Sequence, residues 1–175
     1  MLERTSPKRM KLSSRARYAL RSMIVIARHS NGGKPVALDQ VARATQISKR
    51  YLEQLAIALK NAVLLRGVSG KAGGYLLARP AGEIKIGQII EAAIGPINIV
   101  DCVRDPTVCL MVDICECRLI YVLINRRITE VLNEFSLADL ADMEWLKRIG
   151  KELGATLDPD ALQKSNLKTK PSSSP

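Results

Sequence analysis

The chain has 175 residues, enough for one compact domain or two small ones, and a formal net charge of +10. Residues 1–90 contain 17 lysines and arginines against 4 acidic residues, a net of +13, whereas residues 91–175 contain 10 against 13, a net of −3. A positive field confined to one half is typical of a protein that docks one end on a polyanion. One phenylalanine and one tryptophan are too few for stacking on single-stranded bases, so duplex DNA is the favoured partner.

The same composition argues against a membrane partner. No segment has the length of a membrane span, and the N-terminus carries charges where a secretory signal needs an apolar core. The basic residues are spread over several elements, unlike those of a membrane-surface helix. We therefore expect a cytoplasmic protein, in which the thiols stay reduced and metal, cluster or redox roles are favoured over structural disulfides.

The first predicted elements are a flexible basic arm, residues 1–11, and a helix capped by the hydroxyl of Ser13 or Ser14. Apolar residues at helical spacing predict one buried face for this helix: Ala16, Ala19, Leu20, Met23, Ile24 and Ala27. Asn31-Gly32-Gly33 ends it.

The next two predicted helices have the pattern of a helix-turn-helix. A short helix from about Leu38 to Ala44 is followed by a break, Thr45–Ile47, that contains one apolar residue. Ser48 then caps a third helix, whose inner face is apolar: Leu52, Leu55, Ala56 and Leu59. Its opposite face carries groups that can reach phosphates or base edges: Lys49, Arg50, Tyr51, Glu53 and Gln54. Such a face could also be ordinary hydrophilic surface, but the charge asymmetry favours a DNA contact.

Two β-prone runs, Val63–Val68 and Gly74–Leu77, predict a hairpin with a glycine-rich tip that includes Lys71. A hairpin directly after a helix-turn-helix is a wing, which touches phosphates or enters the minor groove. A nucleotide-binding phosphate loop is disfavoured because the Gly-Lys-Ser/Thr ending and a following helix are missing. With a helix at Ile86–Ile94, residues 12–95 are predicted to form a winged helix-turn-helix domain.

All 4 cysteines lie between Cys102 and Cys117, in a predicted loop over residues 96–117. Thiolates are the ligands that iron–sulfur clusters and zinc prefer. Structural zinc sites use closer cysteine pairs, whereas Cys102, Cys109 and Cys115 are spread along the loop as ligands of a larger 2Fe–2S or 4Fe–4S cluster would be. Redox-active thiols without metal, a zinc site and inert buried cysteines are the alternatives.

Cys117 is the leading candidate for a fourth cluster ligand. A helix that includes both Cys115 and Cys117 would point them about 200° apart, so they can share a cluster only if the chain stays non-helical through Cys117. Otherwise the fourth ligand is a carboxylate such as Asp113 or Glu116, an exogenous thiol or water, or a group of a second subunit.

A long apolar helix is predicted over residues 114–135. Its stripe is wider than one flank of a small domain covers: Leu119, Ile120, Val122, Leu123, Ile124, Ile128, Val131, Leu132 and Phe135. This surplus predicts pairing with the same helix of a second copy. Ser136-x-x-Asp139 is a capping box for one short helix in residues 136–162, and residues 163–175 are predicted to be disordered. The fold class is therefore mainly α, a winged helix-turn-helix domain with a small β-hairpin wing plus a long dimerisation helix.

Three segments resemble the IscR/NsrR/CymR family of winged-helix regulators. Residues 10–20 (MKLSSRARYAL) are similar to the family's opening, residues 48–55 (SKRYLEQL) to its recognition helix and residues 73–77 (GGYLL) to its wing. The resemblance implies a homodimeric transcription factor on a near-palindromic operator, with a cluster on Cys102, Cys109 and Cys115 that senses iron–sulfur status, redox state or nitric oxide. It also implies base contacts from Tyr51, Glu53 and Gln54, and DNA-backbone contacts from Arg15, Lys49, Arg50 and Lys71. Ser48 and Ser69 complete the predicted DNA-contacting set.

The chain departs from the family pattern at three positions. Ser69 stands where family members often have a wing arginine. Arg118 stands where IscR-like members have a ligating histidine, and Arg17 where NsrR-like members have a ligating aspartate. The fourth ligand is therefore inherited from neither pattern.

Two other functions remain open. One is a cluster-free repressor that responds through its thiols or to a metabolite, and the other is a small iron–sulfur electron carrier. The chain has one histidine and no arrangement of serine, histidine and aspartate, so we expect no enzymatic activity. A carrier leaves the basic half unexplained, whereas a regulator uses both halves.

Overall fold

The computed structural model describes residues 12–30, 33–70 and 72–155. It is mainly helical with one two-stranded antiparallel hairpin, which confirms the predicted fold class. The helices are α1 (Ser14–His29), α2 (Leu38–Thr45), α3 (Lys49–Asn61), α4 (Ile86–Ile94), α5 (Asp101–Arg104), α6 (Glu116–Glu134), α7 (Leu137–Ala141) and α8 (Met143–Glu152), and the strands are β1 (Leu65–Val68) and β2 (Gly74–Leu77). The predicted basic arm, residues 1–11, and the predicted tail, residues 163–175, lie outside the described residues. No helix in the described part is both long and apolar enough to span a membrane.

Helix α1 begins as the sequence predicts, because Ser13 Oγ accepts a hydrogen bond from the Ala16 backbone N–H at 3.1 Å. Its buried face centres on Ala16, Ala19, Met23 and Ile26, while Leu20, Ile24 and Ala27 are half-buried beside it. The helix ends at His29. The first two residues of the predicted stop, Asn31-Gly32-Gly33, fall outside the described residues, and Gly33 has a left-handed backbone (φ 76°).

Helices α2 and α3 form the predicted helix-turn-helix. Gln46 turns the chain with a left-handed backbone (φ 58°), and Ile47 is buried beneath the turn. Ser48 Oγ accepts a hydrogen bond from the Tyr51 N–H at 3.4 Å and caps α3. All four predicted inward residues of α3 are at most 2% exposed: Leu52, Leu55, Ala56 and Leu59.

The hairpin is tied to the rest of the domain through Tyr75. Strands β1 and β2 pair from Leu65 opposite Leu77 to Val68 opposite Gly74. Tyr75 also forms an isolated bridge with Val36, in the segment between α1 and α2. The wing therefore has a fixed position beside the helix-turn-helix.

The C-terminal helices pack back on this domain. The Ile86 N–H donates to Phe135 O, and the Leu137 N–H donates to Ile84 O at 2.8 Å, which holds the junction of α6 and α7 beside the start of α4. Arg28, at the end of α1, donates to the carbonyls of Leu140 and Ala141, and burial lowers the pKa of its guanidinium.

The prediction of one short helix after α6 was wrong in detail, because the structure has two. The capping box between Ser136 and Asp139 starts α7, as predicted. Asp142 then ends α7 and caps α8 by accepting from the N–H groups of Glu144 and Trp145. Trp145 packs on Phe135 with an edge-on ring contact of 5.5 Å between centroids, which fastens α8 to the end of α6.

Candidate DNA-binding face and cysteine segment

The outer surface of α3 carries the predicted DNA contacts. Because the helix buries its apolar face, Lys49, Arg50, Glu53 and Gln54 are left exposed on the other side, and so is the cap residue Ser48. Side chains near a helix N-terminus are those that reach base edges when the helix lies in the major groove. The exposed face of α3 thus has the position and the chemistry of a recognition helix.

Two of these side chains already have partners within the domain. Lys49 Nζ lies 2.8 Å from Asp39 Oδ2, across the gap between α2 and α3. This hydrogen bond lowers the pKa of Asp39 and raises the pKa of Lys49. The Tyr51 ring is half-buried and meets Tyr18 edge-on at 5.7 Å between centroids, so only part of it faces outward. Asp39 was not recognised in the sequence, because its contact depends on how α2 and α3 are arranged.

Arg15 lies in the first turn of α1, and its Nε donates to Ala93 O, near the end of α4, at 2.6 Å. The predicted role of Arg15 was a contact with the DNA backbone. The structure gives it a second partner, since part of the guanidinium holds two helices together. Its terminal nitrogens form no hydrogen bond with other described residues.

The wing tip is only partly described. Ser69 and Gly70 are exposed, and Lys71, the predicted phosphate contact, lies outside the described residues. At the base of the tip, Gly74 lies against the backbone of Val36. A glycine of the second β-prone run is thus needed for close approach to the protein's own chain.

The cysteine segment has more regular structure than the predicted loop. Cys102 lies in the single turn of α5, Cys109 follows a 3-10 turn at Pro106–Val108, and Cys115 is the N-cap residue of α6. Asp105 stabilises the 3-10 turn by accepting from the Thr107 hydroxyl and backbone N–H, and these hydrogen bonds lower the pKa of Asp105.

The residue at which α6 begins decides whether Cys115 and Cys117 can point to the same cluster. The helix begins at Glu116, not at residue 114, and Cys117 is exposed in its first turn. The condition for Cys115 and Cys117 to share a cluster, a non-helical chain through Cys117, is therefore not met in this conformation. Cys117 as a fourth ligand stays a prediction, with this geometry against it.

Two residues of α6 hold the chain that leads to the first cysteine. Asn125 accepts from the Ile99 N–H and donates to Ile97 O, each at 3.1 Å. Arg118 Nε donates to Cys102 O at 3.3 Å. Neither role was predicted, although Asn125 directly follows the apolar run Leu119–Ile124, and a polar side chain in such a place usually has a hydrogen-bond partner.

The four thiols do not converge in this conformation. Within the described residues, no group of three or more histidines, cysteines, aspartates or glutamates is close enough to hold a metal ion. Cys102, Cys109 and Cys115 are half-buried. As folded here, these residues do not fit an iron–sulfur cluster, and the segment would have to rearrange to gather them.

The predicted dimerisation helix leaves its apolar stripe uncovered. Within α6, Leu119 is 74% exposed, Ile120 55%, Ile124 39% and Val131 49%. A shallow, mostly apolar groove on this helix is lined by Leu123, Ile124, Arg127, Ile128, Val131 and Leu132. An apolar strip of this length on one helix marks an interaction surface.

Several known proteins are similar to this chain in sequence. The family model Rrf2, described as iron-dependent transcriptional regulator, matches residues 12–143. The HTH-type transcriptional regulator IscR of Sodalis glossinidius is 36% identical over 135 residues, which cover 77% of this chain and 81% of the relative. CymR of Bacillus subtilis is 35% identical over 132 residues, 75% of this chain and 90% of the relative.

Solved structures give the same result. The structure of CymR, the global cysteine regulator of B. subtilis, superposes with a TM-score of 0.62 at 34% identity and covers 76% of this chain and 97% of its own. The T. potens IscR structure superposes with a TM-score of 0.61 at 28% identity and covers 87% and 96%.

Proposed function

This chain belongs to the Rrf2 family of transcriptional regulators, and from that premise we propose that it binds near-palindromic duplex operators as a homodimer under the control of its cysteine segment. Its relatives are named as regulators of transcription, not as enzymes, which confirms the prediction of a non-catalytic protein. The electron-carrier alternative is set aside for the same reason.

The observation that carries the proposal is the two-sided character of α3. Its inner residues Leu52, Leu55 and Leu59 fix the helix in the domain, and its outer residues Arg50, Glu53 and Gln54 stand exposed together. The glutamine and glutamate can read adenine and cytosine edges in the major groove, and the arginine can hold phosphate or guanine. The basic N-terminal half supplies the sequence-independent attraction.

Dimerisation is supported by the uncovered stripe of α6. Two copies paired along this helix would bury Leu119, Ile124 and Val131, which an isolated chain leaves in water. A two-fold dimer places two recognition helices in successive major grooves, about 34 Å apart, and this spacing requires a near-palindromic operator.

We infer that the sensing site is the cysteine segment. This sensing can take two forms. In the first form, Cys102, Cys109 and Cys115 hold an iron–sulfur cluster, which the likeness to IscR and the family's iron-dependent description support. A bound cluster would supply a group whose charge and stability change with redox state or nitric oxide. This form requires the segment to rearrange, since the thiols do not converge as folded here.

In its second form, the thiols act without a metal. The separation of the cysteines and the likeness to CymR, a global cysteine regulator, favour this form. In both forms Arg118 and Asn125 connect the segment to α6, so a change at Cys102 bears directly on the proposed dimer helix.

The DNA-binding proposal is tested by selecting an operator from random duplexes and measuring affinity by fluorescence anisotropy. Gln54→Ala should weaken binding to the selected operator by about 1–3 kcal/mol and leave random duplex nearly unchanged, because a base contact discriminates between sequences. Asn61→Ala, at the far end of α3, is the matched control. If Gln54→Ala bound the operator like the parent, the assigned reading face would be wrong.

The two forms of sensing are separated by anaerobic purification with absorption spectroscopy and iron and sulfide analysis. A cluster predicts loss of visible absorption in Cys102→Ala, Cys109→Ala and Cys115→Ala, and retention in Cys117→Ala if that thiol is not a ligand. Full retention in Cys109→Ala would reject the three-cysteine site. A colourless protein whose operator affinity still changes with thiol oxidation would establish the second form.

A further inference from the structure

The ion pair between Lys49 and Asp39 lies at the front of the recognition helix. Lys49 is the first residue of α3, and Asp39 lies in the first turn of α2. Their side chains are 51% and 57% exposed, so the 2.8 Å contact is open to solvent and to any approaching polyanion. Of the predicted DNA-contacting cations in the described part of the chain, Lys49 is the one with a carboxylate within 4.0 Å.

Local electrostatics explain why this pair forms. A lysine at a helix N-terminus faces the positive end of the helix dipole, whereas an aspartate in a first turn is favoured there. The carboxylate of Asp39 therefore offsets an unfavourable position of Lys49. Arg43 lies one turn beyond Asp39 and lowers the pKa of its carboxyl, and Glu53 lies one turn beyond Lys49 and raises the pKa of its ammonium. Both effects keep the pair ionised.

We propose that Asp39 is an internal competitor for DNA phosphate: in the free protein it neutralises Lys49, and on binding a phosphate oxygen replaces its carboxylate. This inference rests on the proposed DNA-binding function. The exchange reduces the binding free energy that Lys49 contributes on every DNA sequence, because the pair between Lys49 and phosphate forms only as the pair between Lys49 and Asp39 is broken. It thereby limits sequence-independent binding without touching the residues that read bases.

The consequence is measurable as affinity and as salt dependence. Release of Asp39 into solvent lets it take up a cation, which partly cancels the counterion released from the phosphate. Removing the carboxylate should therefore tighten binding to any duplex and steepen the plot of log affinity against log salt. Since exposed ion pairs are weak, the expected gain is about two- to fivefold, and the slope should steepen by up to about one unit.

A double-mutant cycle tests the exchange on the full chain, with a mixed-sequence duplex of about 30 base pairs as the probe. Asp39→Asn, Lys49→Met and the double variant are compared by anisotropy at several salt concentrations. We expect Asp39→Asn to bind tighter than the parent, and the gain to vanish in the Lys49→Met background. Glu83→Gln, which removes an exposed carboxylate outside the recognition face, is the control and should leave binding unchanged.

Three results would overturn the inference. Unchanged or weaker binding by Asp39→Asn would mean that Asp39 does not compete, and weaker binding would make it a residue that positions Lys49. An equal gain in the Lys49→Met background would mean a general field effect. Asp39→Ser, compared by thermal melting and by the same affinity cycle, keeps the test valid if the asparagine variant is unstable. Absence of duplex binding by the parent chain is a different result, since it would reject the proposed function itself.

Discussion

Ser136 and Asp139 form a reciprocal cap at the point where the chain leaves α6 and returns to the core. Asp139 Oδ2 accepts from the Ser136 N–H at 2.8 Å and from its hydroxyl at 2.7 Å, while the Asp139 N–H donates to Ser136 Oγ at 3.3 Å. Ser136 also pairs with Lys85 across an isolated bridge. One serine and one aspartate thus fix the direction of α7 and hold Leu137 in the core, where it is fully buried.

The cap predicts a pH dependence of stability. The backbone N–H of Ser136, and then its hydroxyl, lower the pKa of Asp139 by hydrogen bonding to the carboxylate. Because the folded pKa lies below the unfolded one, the stabilisation is complete above the unfolded pKa, about 3.9, and is lost as the pH falls through the folded value. Asp139→Asn should reduce the free energy of unfolding by about 0.5–1 kcal/mol at pH 7 and far less near pH 2.

Urea unfolding of both proteins at several pH values measures this difference. Glu152→Gln, at the exposed end of α8, is the matched control and should leave the curve unchanged. If Asp139→Asn reduced the free energy of unfolding as much at pH 2 as at pH 7, the carboxylate charge would not be the stabilising feature.

Caps were the residue contacts that the sequence could predict. The caps at Ser13, Ser48 and Ser136 join atoms three residues apart, so the local pattern contains both partners. Arg15 and Ala93 are 78 positions apart, and their contact follows from the packing of α1 on α4. The same reason hid Asp39 as the partner of Lys49, since their distance depends on the helix-turn-helix geometry.

At the scale of elements, the hairpin depends on a glycine at its entry. A Cβ on Gly74 would lie 2.5 Å from Val36 O and 2.9 Å from Ala37 N. These are backbone atoms in the segment that bridges to Tyr75, so they cannot move aside without breaking that bridge. The absence of a side chain at Gly74 therefore sets the position of the wing against the helix-turn-helix.

Gly74→Ala should destabilise the domain by about 1–3 kcal/mol, because overpacking against backbone displaces the strand. Gly82→Ala is the matched control, since a Cβ there meets nothing within 4 Å and its backbone needs no left-handed conformation. Thermal unfolding compares the two. A melting temperature of Gly74→Ala equal to that of Gly82→Ala would contradict the close packing of the hairpin on Val36.

Element boundaries were predictable where apolar periodicity and a cap coincide. Helix α3 begins after its predicted cap residue, Ser48, and helix α4 spans the predicted residues, Ile86–Ile94. In the cysteine segment, the loop-forming residues gave no sign of the helical turn α5. This turn is supported by the hydrogen bond that Arg118 of α6 donates to Cys102 O. The break between α7 and α8 was missed because Asp142 lies inside a run that reads as one helix, although its side chain is a typical cap.

At the scale of the whole molecule, the DNA-binding domain has its own apolar core, whereas the apolar stripe of α6 is left uncovered by the described part of the chain. The domain built from α1–α4 and the hairpin contains most of the buried apolar core, whereas no residue of α6 is buried. The helix is held at its C-terminal end through Phe135 and Leu137, and along its length by the hydrogen bonds of Asn125 and Arg118, while its apolar stripe stays exposed.

Ile124→Glu should convert the proposed dimer to a monomer, because a carboxylate at the centre of a paired apolar stripe would be buried without a partner. We expect self-association to weaken by at least about tenfold and operator affinity to fall with it. Sedimentation velocity at micromolar concentration measures the first effect. Leu153→Glu, an equally drastic change at an exposed leucine after α8, is the control. A parent chain that sediments as a monomer would argue against the dimer.

The edge-on contact between Trp145 and Phe135 gives this protein an intrinsic optical probe. The chain has 1 tryptophan and 1 phenylalanine, and both lie where α8 meets the end of α6. Emission excited at the red edge of indole absorption therefore comes from this single junction, and duplex DNA contributes little there. A shift in emission on dimer formation, thiol oxidation or operator binding would report whether that event is felt at Trp145, 11 residues beyond the end of the proposed interface helix at Glu134, with no label attached.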